Sequence, residues 1–101
     1  MFYLYILYSE PFDRYYIGYS SRPFERLEEH NTQDHFNTFT KKYRPWKMRA
    51  LFQVSEKETA IRTERFLKSQ KSRRLLEMLC DSNFVPEGKL SVLVRVPHVR
   101  D

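Results

Sequence analysis

Residues Phe2 to Tyr8 carry no polar face. In an extended chain Tyr3, Tyr5 and Leu7 point one way, and Phe2, Leu4, Ile6 and Tyr8 point the other. A strand that is apolar or aromatic on both sides is a strand covered on both sides. Glu10-Pro11-Phe12-Asp13 has the residues of a tight loop. Arg14 to Tyr19 then returns as a second strand, with Tyr16 and Gly18 on one face. A glycine within a strand marks a close approach to the backbone. Pro23 to His30 reads as a helix: Ser20 and Ser21 offer caps, Pro23 suits the first position and Asn31 closes it. Arg26 and His30 share one face of that helix, with Phe24 and Leu27 turned to the core. Thr32 to Thr40 is polar without a period and reads as loop. Lys47 to Val54 reads as a third strand. Ser55-Glu56-Lys57-Glu58 matches a capping box, which opens a helix at Glu56 that runs at least to Ser69. Ser72 caps a short helix, Arg73 to Leu79. After a turn-rich break, Leu90 to Val96 alternates as a late strand. Leu4, Ile6, Ile17, Leu27, Leu51, Ile61 and Leu67 are the expected core.

Composition narrows the possibilities. A chain of 101 residues forms one small domain, and with 16% aromatics its core is rich in rings. The formal charge of +5 points to a polyanionic partner, although many small basic domains simply carry a solvated positive surface. The single cysteine, Cys80, rules out an intramolecular disulfide and any multi-cysteine zinc site. No stretch reaches the length of a membrane span, and the N-terminus lacks the features of a signal peptide, so a cytoplasmic location is expected.

Several residues carry possible chemistry, each with a plainer alternative. Glu64 sits in the apolar stripe of Ala60, Ile61 and Leu67. A surface pair with Lys68 would explain an exposed glutamate but not one facing a core, where a carboxylate needs a cation or donors. Tyrosines such as Tyr5 and Tyr16 most often pack in aromatic cores, Arg26 is the kind of helix arginine that is usually solvated, and His30 suits a structural role. The run Lys41 to Arg49 has five positive charges, no negative one and two aromatics. It fits a phosphate-contacting loop or a solvated edge strand guarded by lysines. A second basic cluster, Arg62 to Arg74, surrounds Glu64, its lone acid.

In order along the chain, these residues resemble the GIY-YIG nuclease superfamily. Tyr3-Leu4-Tyr5 stands at the first motif, with tyrosine in place of its glycine, and Tyr16-Ile17-Gly18 is the second motif outright. Arg26, His30-Asn31 and Glu64 follow at the family's positions. The likeness covers roughly residues 2 to 79 and is greatest to the small stand-alone, YhbQ-like subfamily. It implies an α/β sandwich with a three-stranded antiparallel sheet flanked by helices. The nuclease-like domain would span residues 1–80, and residues 81–101 would be a C-terminal extension with an extra strand and no assigned role. It also implies a metal-dependent endonuclease: Mg²⁺ (or Mn²⁺) on Glu64, Arg26 stabilising the transition state, Tyr5 as general base, and Tyr16 and His30 orienting the water or sharing the proton. Mg²⁺ and Arg26 are expected to lower the Tyr5 pKa. Phosphate contacts are expected from Arg22, Lys41, Lys42, Arg44, Lys68 and Lys71, on DNA ahead of RNA, with no membrane partner. A non-catalytic nucleic-acid-binding module on the same fold, or a domain whose basic face meets an acidic protein, remains the alternative. Oligomeric state is open.

Overall fold

The computed structural model describes residues 1–97. Strands β1 (Phe2–Ser9) and β2 (Arg14–Ser20) form an antiparallel hairpin in which Tyr5 faces Gly18, Ile6 faces Ile17 and Leu7 faces Tyr16. The hairpin loop contains Asp13 in the left-handed region (φ 55), which aspartate tolerates better than most residues. Helix α1 (Pro23–Thr32) and a short helix α2 (Thr38–Lys42) follow, then β3 (Lys47–Val54), α3 (Lys57–Gln70) and α4 (Arg73–Cys80). The chain continues through a 3₁₀ turn (Gly88–Leu90) to β4 (Val94–Arg95). The sheet is antiparallel throughout, in the order β2-β1-β3-β4.

The sheet has four strands: β1 to β3, the three expected of the domain, and β4 in the C-terminal extension, where an extra strand was expected. The fourth is only two residues long; the rest of the alternating run from Leu90 turns instead, and Leu90 and Leu93 plug the core. A second departure is α2, which forms where a loop was expected. Asn37 caps it, accepting from the Thr40 amide at 3.1 Å. Five residues are too few to show a helical period. Helix α3 starts one residue later than the capping box predicts, because Glu56 takes the N-cap position and no side chain caps it. Ser72 does cap α4, accepting from the Leu75 amide.

Strand alternation sorts the interior into two layers. Leu4, Ile6, Ile17, Ala50, Phe52 and Val54 meet Ala60 and Leu67 of α3 and Leu79 of α4 on one face. Tyr5, Leu7, Trp46, Met48 and Leu51 fill the other, against Leu27 of α1. Leu27 and Ile61 are only partly buried, and Phe24 is 59% exposed. The inward stripe of α1 is Pro23, Leu27 and His30, spaced i, i+4, i+7, with Pro23 and His30 buried and Leu27 partly so, and Phe24 sits about 100° away from it. In α3 the stripe is Ala60, Thr63 and Leu67. Thr63 takes the place expected of Ile61 by donating its buried hydroxyl to the Thr59 carbonyl at 2.8 Å.

Candidate active site

A surface pocket of about 370 Å³ brings Tyr5, Tyr16, Arg26 and Glu64 together with Gly18. They reach it from β1, β2, α1 and α3. The pocket draws on both sheet faces at β2, since Tyr5 and Tyr16 belong to the aromatic layer while Phe2 and Tyr19 pack on the aliphatic one. Gly18 makes the close approach legible in its strand: a Cβ there would lie 2.4 Å from the Tyr5 ring.

Tyr5 is 3% exposed, and its hydroxyl lies 3.1 Å from His30 Nε2. On the other side of the imidazole, Nδ1 lies 2.9 Å from Thr40 Oγ1. The Thr40 hydroxyl donates to the Asn37 carbonyl at 3.3 Å, so it accepts from His30. The proton of the neutral imidazole is therefore on Nδ1, Nε2 is an acceptor, and Tyr5 donates to it. The Asn37 side chain closes the circuit by donating to the Tyr16 hydroxyl at 3.1 Å. The Trp46 indole donates to the Thr40 carbonyl, fixing α2 beneath the site. Asn31 clamps the same tryptophan, bonding both its amide and its carbonyl. Asn37 and Thr40 are the partners that sequence reasoning missed. The one available sign was an asparagine three residues before Thr40, the spacing of a capped helix start.

The electrostatics run against one expectation. Burial pushes the Tyr5 pKa far above the usual tyrosine value, Tyr16 and Glu64 add to the rise, and Arg26 only partly offsets it. Tyr5 is thus a neutral phenol in the free protein, not one primed by Arg26. Tyr16 is also raised, by burial and then by Glu64. Burial, with the Arg26 and Arg44 cations, pushes His30 down to about 4, so the imidazole is neutral at pH 7.

Glu64 lies beside the α3 stripe, with its side chain 15% exposed and the Lys68 ammonium 3.7 Å away. The plain surface pair is therefore present, but on a half-hidden carboxylate. Burial raises its pKa, and Lys68 opposes the rise. Among the described residues no group of three or more His, Cys, Asp and Glu gathers. A metal at this site would have one protein carboxylate with hydroxyls close by. That suits Mg²⁺, a hard ion that keeps several waters.

The expected phosphate contacts divide. Lys41 and Lys42 are exposed on α2. Lys68 stands over the Tyr16 ring at 5.7 Å, and Lys71 ends α3 in the left-handed conformation. Arg22 is exposed and paired with Glu25. Arg26, which lines the pocket, pairs with Glu29 at 3.5 Å and lies over Phe36. Arg44 departs from the expectation. Its guanidinium donates to the His30 and Gln33 carbonyls and to Asp34, securing the end of α1. Carbonyls at a helix end need donors, and with three of its nitrogens bonded there Arg44 has little left for a phosphate.

The fold and this pocket define a compact α/β domain built around a tyrosine-lined, glutamate-bearing cleft. The family model of the GIY-YIG catalytic domain matches residues 1–77, and the chain belongs to that family. Membership implies a nuclease-type activity on the phosphodiester bonds of nucleic acid, generally dependent on a divalent metal. Comparison with curated proteins and with solved structures finds no significant match.

Proposed function

We propose that the protein is a metal-dependent endonuclease that hydrolyses phosphodiester bonds in nucleic acid, with DNA the preferred substrate. The observation that carries this is the convergence of Tyr5, Tyr16, Arg26 and Glu64 on one pocket. Glu64, with the hydroxyls near it, would hold a Mg²⁺ or Mn²⁺ ion, which when bound stabilises the negative charge of phosphoryl transfer. Arg26 faces the same space and would bind the phosphate as charge grows on it. The Tyr5 proton is directed at His30, which leaves a lone pair of its oxygen for an attacking water. As that water attacks phosphorus and the bond to the leaving oxygen breaks, the water's proton passes to the Tyr5 oxygen, the Tyr5 proton passes to His30 Nε2, and the leaving oxygen takes a proton from solvent. This route needs no free phenolate, which suits a tyrosine whose burial opposes ionisation. Asn37 holds Tyr16 with its own proton free to donate into the pocket.

The test is Glu64→Gln against wild type, on labelled DNA and RNA with Mg²⁺, Mn²⁺ or chelator. Cleavage by wild type with metal, none with chelator and none by the variant is the expected result. Equal cleavage by both proteins rejects Glu64 as the metal ligand.

A further inference from the structure

Beside the Glu64 pocket lies a larger groove of about 700 Å³, between the hairpin loop, α2 and the α3–α4 junction. Its walls carry Arg14, Lys68, Lys71 and Arg73 against one acid, Asp13. Asp13 is bound by the Tyr8 hydroxyl and by Arg73, which also pairs with Glu77, so Asp13 and Arg73 offset each other and Arg14, Lys68 and Lys71 give the groove its positive sign. Lys71 makes no ion pair among the described residues. Two rings stand among these cations, Phe12, 48% exposed, and Phe39, 38% exposed. Both pack edge-on or tilted against Tyr43, which in turn carries Arg14 over its face at 4.8 Å. Lys68 links the groove to the pocket, since its ammonium meets both the Glu64 carboxylate and the Tyr16 ring. Phe39 stacks on that same Tyr16 at 6.1 Å.

Cations alone would serve any polyanion, duplex included. The exposed rings discriminate. A base in a duplex has both faces covered by its neighbours, whereas an unpaired base offers a face to stack on an aromatic side chain. Alternating rings and cations are the surface that tracks a single strand. We propose that this groove holds an unpaired nucleic-acid strand leading into the Glu64 pocket, with Phe12 and Phe39 as stacking platforms and Lys68 and Lys71 on its phosphates. The substrate class is then nucleic acid that is single-stranded beside the cut, such as an overhang, a flap or a loop. This inference rests on the pocket being the cleavage site.

The experiment measures binding of a labelled oligonucleotide as a single strand, as a blunt duplex and as a duplex with an overhang, in chelator so that nothing is cut. The proteins are wild type, Phe12→Leu, Phe39→Leu and Lys71→Gln. The single strand and the overhang should bind more tightly than the blunt duplex. Each phenylalanine variant should weaken single-strand binding by about tenfold, in the lower part of the range for one stacked base, and leave duplex binding unchanged. Lys71→Gln should lower the slope of log K against log salt by roughly 0.7 on the single strand. Phe39 touches Tyr16 and Trp46, so its loss also disturbs the site; Phe12, at the loop, keeps the test clean. Equal affinity for duplex and single strand, or an equal loss on both in the Phe12 variant, overturns the proposal. So does competition by polyglutamate as strong as that by the oligonucleotide, which would make the groove a site for acidic protein. These readings do not depend on cleavage. Uncut substrate with Glu64→Gln and unchanged single-strand binding in the Phe12 variant would reject the groove alone. Full cleavage by Glu64→Gln would reject the pocket alone.

Discussion

The two faces of the sheet use one alternating pattern for different ends. On the aliphatic face Leu4, Ile6, Phe52 and Val54 are almost completely shielded, packed among apolar groups that include Ala60, Leu67 and Leu79, with the Arg95 guanidinium over the Phe52 ring. On the aromatic face Tyr5 is almost as deeply buried, yet its hydroxyl begins a chain of hydrogen bonds through His30, Thr40 and Asn37 to Tyr16. The first face holds the fold by shape and area. The second accepts the cost of burying polar groups and meets it, along this chain, by giving Tyr5, His30 and Thr40 hydrogen-bond partners. The difference shows where chemistry can be housed in so small a domain. It lies on the face whose burial fixes the direction of protons, and the face that only packs supports it.

The largest expected effect separates the faces by readout. Tyr5→Phe removes the hydroxyl that passes the proton and should slow turnover by roughly 10²–10⁴. Stability should fall by only about 1–3 kcal/mol, the cost of leaving His30 Nε2 without its donor. Phe52→Ala should do the reverse. It should lower stability by about 3–5 kcal/mol, measured by denaturant melts, while any folded fraction cuts at the wild-type rate. A Tyr5→Phe protein with full activity would remove the division of labour.

A smaller effect follows from pH. The folded protein holds His30 down to about 4, against an ordinary value of 6.5. Between those values the unfolded chain binds a proton that the folded chain refuses. Stability should therefore fall as pH drops through this window and level off below it. The limit is roughly 3 kcal/mol. Glu64 works the other way: burial raises its pKa, so acid relieves the cost of its ionised form as pH falls toward 4.5. His30→Gln should melt with much less dependence on pH between about 7 and 4.5. A wild-type protein whose melting temperature holds steady across that range would mean that His30 takes its proton without disturbing the network.

The hairpin, the third strand, α1, α3 and α4 were legible because their periods are long enough to see, although only α4 starts on the side-chain cap expected of it, Ser72, while α1 and α3 start at Arg22 and Glu56 with none. The residues of the pocket were legible as an ordered set of motifs. What the sequence did not disclose was non-local or short. Helix α2 has too few residues for a period, so Asn37 and Thr40 went unnoticed. Arg44 looked like a free cation within a basic run, and only the fold brings the carbonyls at the end of α1 to it. Burial of Tyr5 depends on helices remote in sequence, so its raised pKa was not visible in the motif around it. The two-residue β4 shows the limit of alternation as a signal, because Leu90 and Leu93 are buried without belonging to a strand.

The smallest expected effect lies within the aromatic face, at Gly18. Its backbone lies directly against the Tyr5 ring, and a Cβ would stand 2.4 Å from both the ring carbon bearing the hydroxyl and the hydroxyl oxygen. Tyr5 is enclosed, so its ring must shift and strain the 3.1 Å bond to His30. Overpacking of this kind costs about 1–3 kcal/mol, and alanine in place of glycine within a strand returns about 0.5–1 kcal/mol of it. Gly18→Ala should therefore fold, melt slightly lower and cut more slowly. If it acts by displacing the hydroxyl, the two substitutions will not add: in a Tyr5→Phe background Gly18→Ala should slow turnover little further. Full additivity in that double-mutant cycle would mean that Gly18 meets the substrate backbone itself, and that the close approach in β2 serves the ligand as well as the ring.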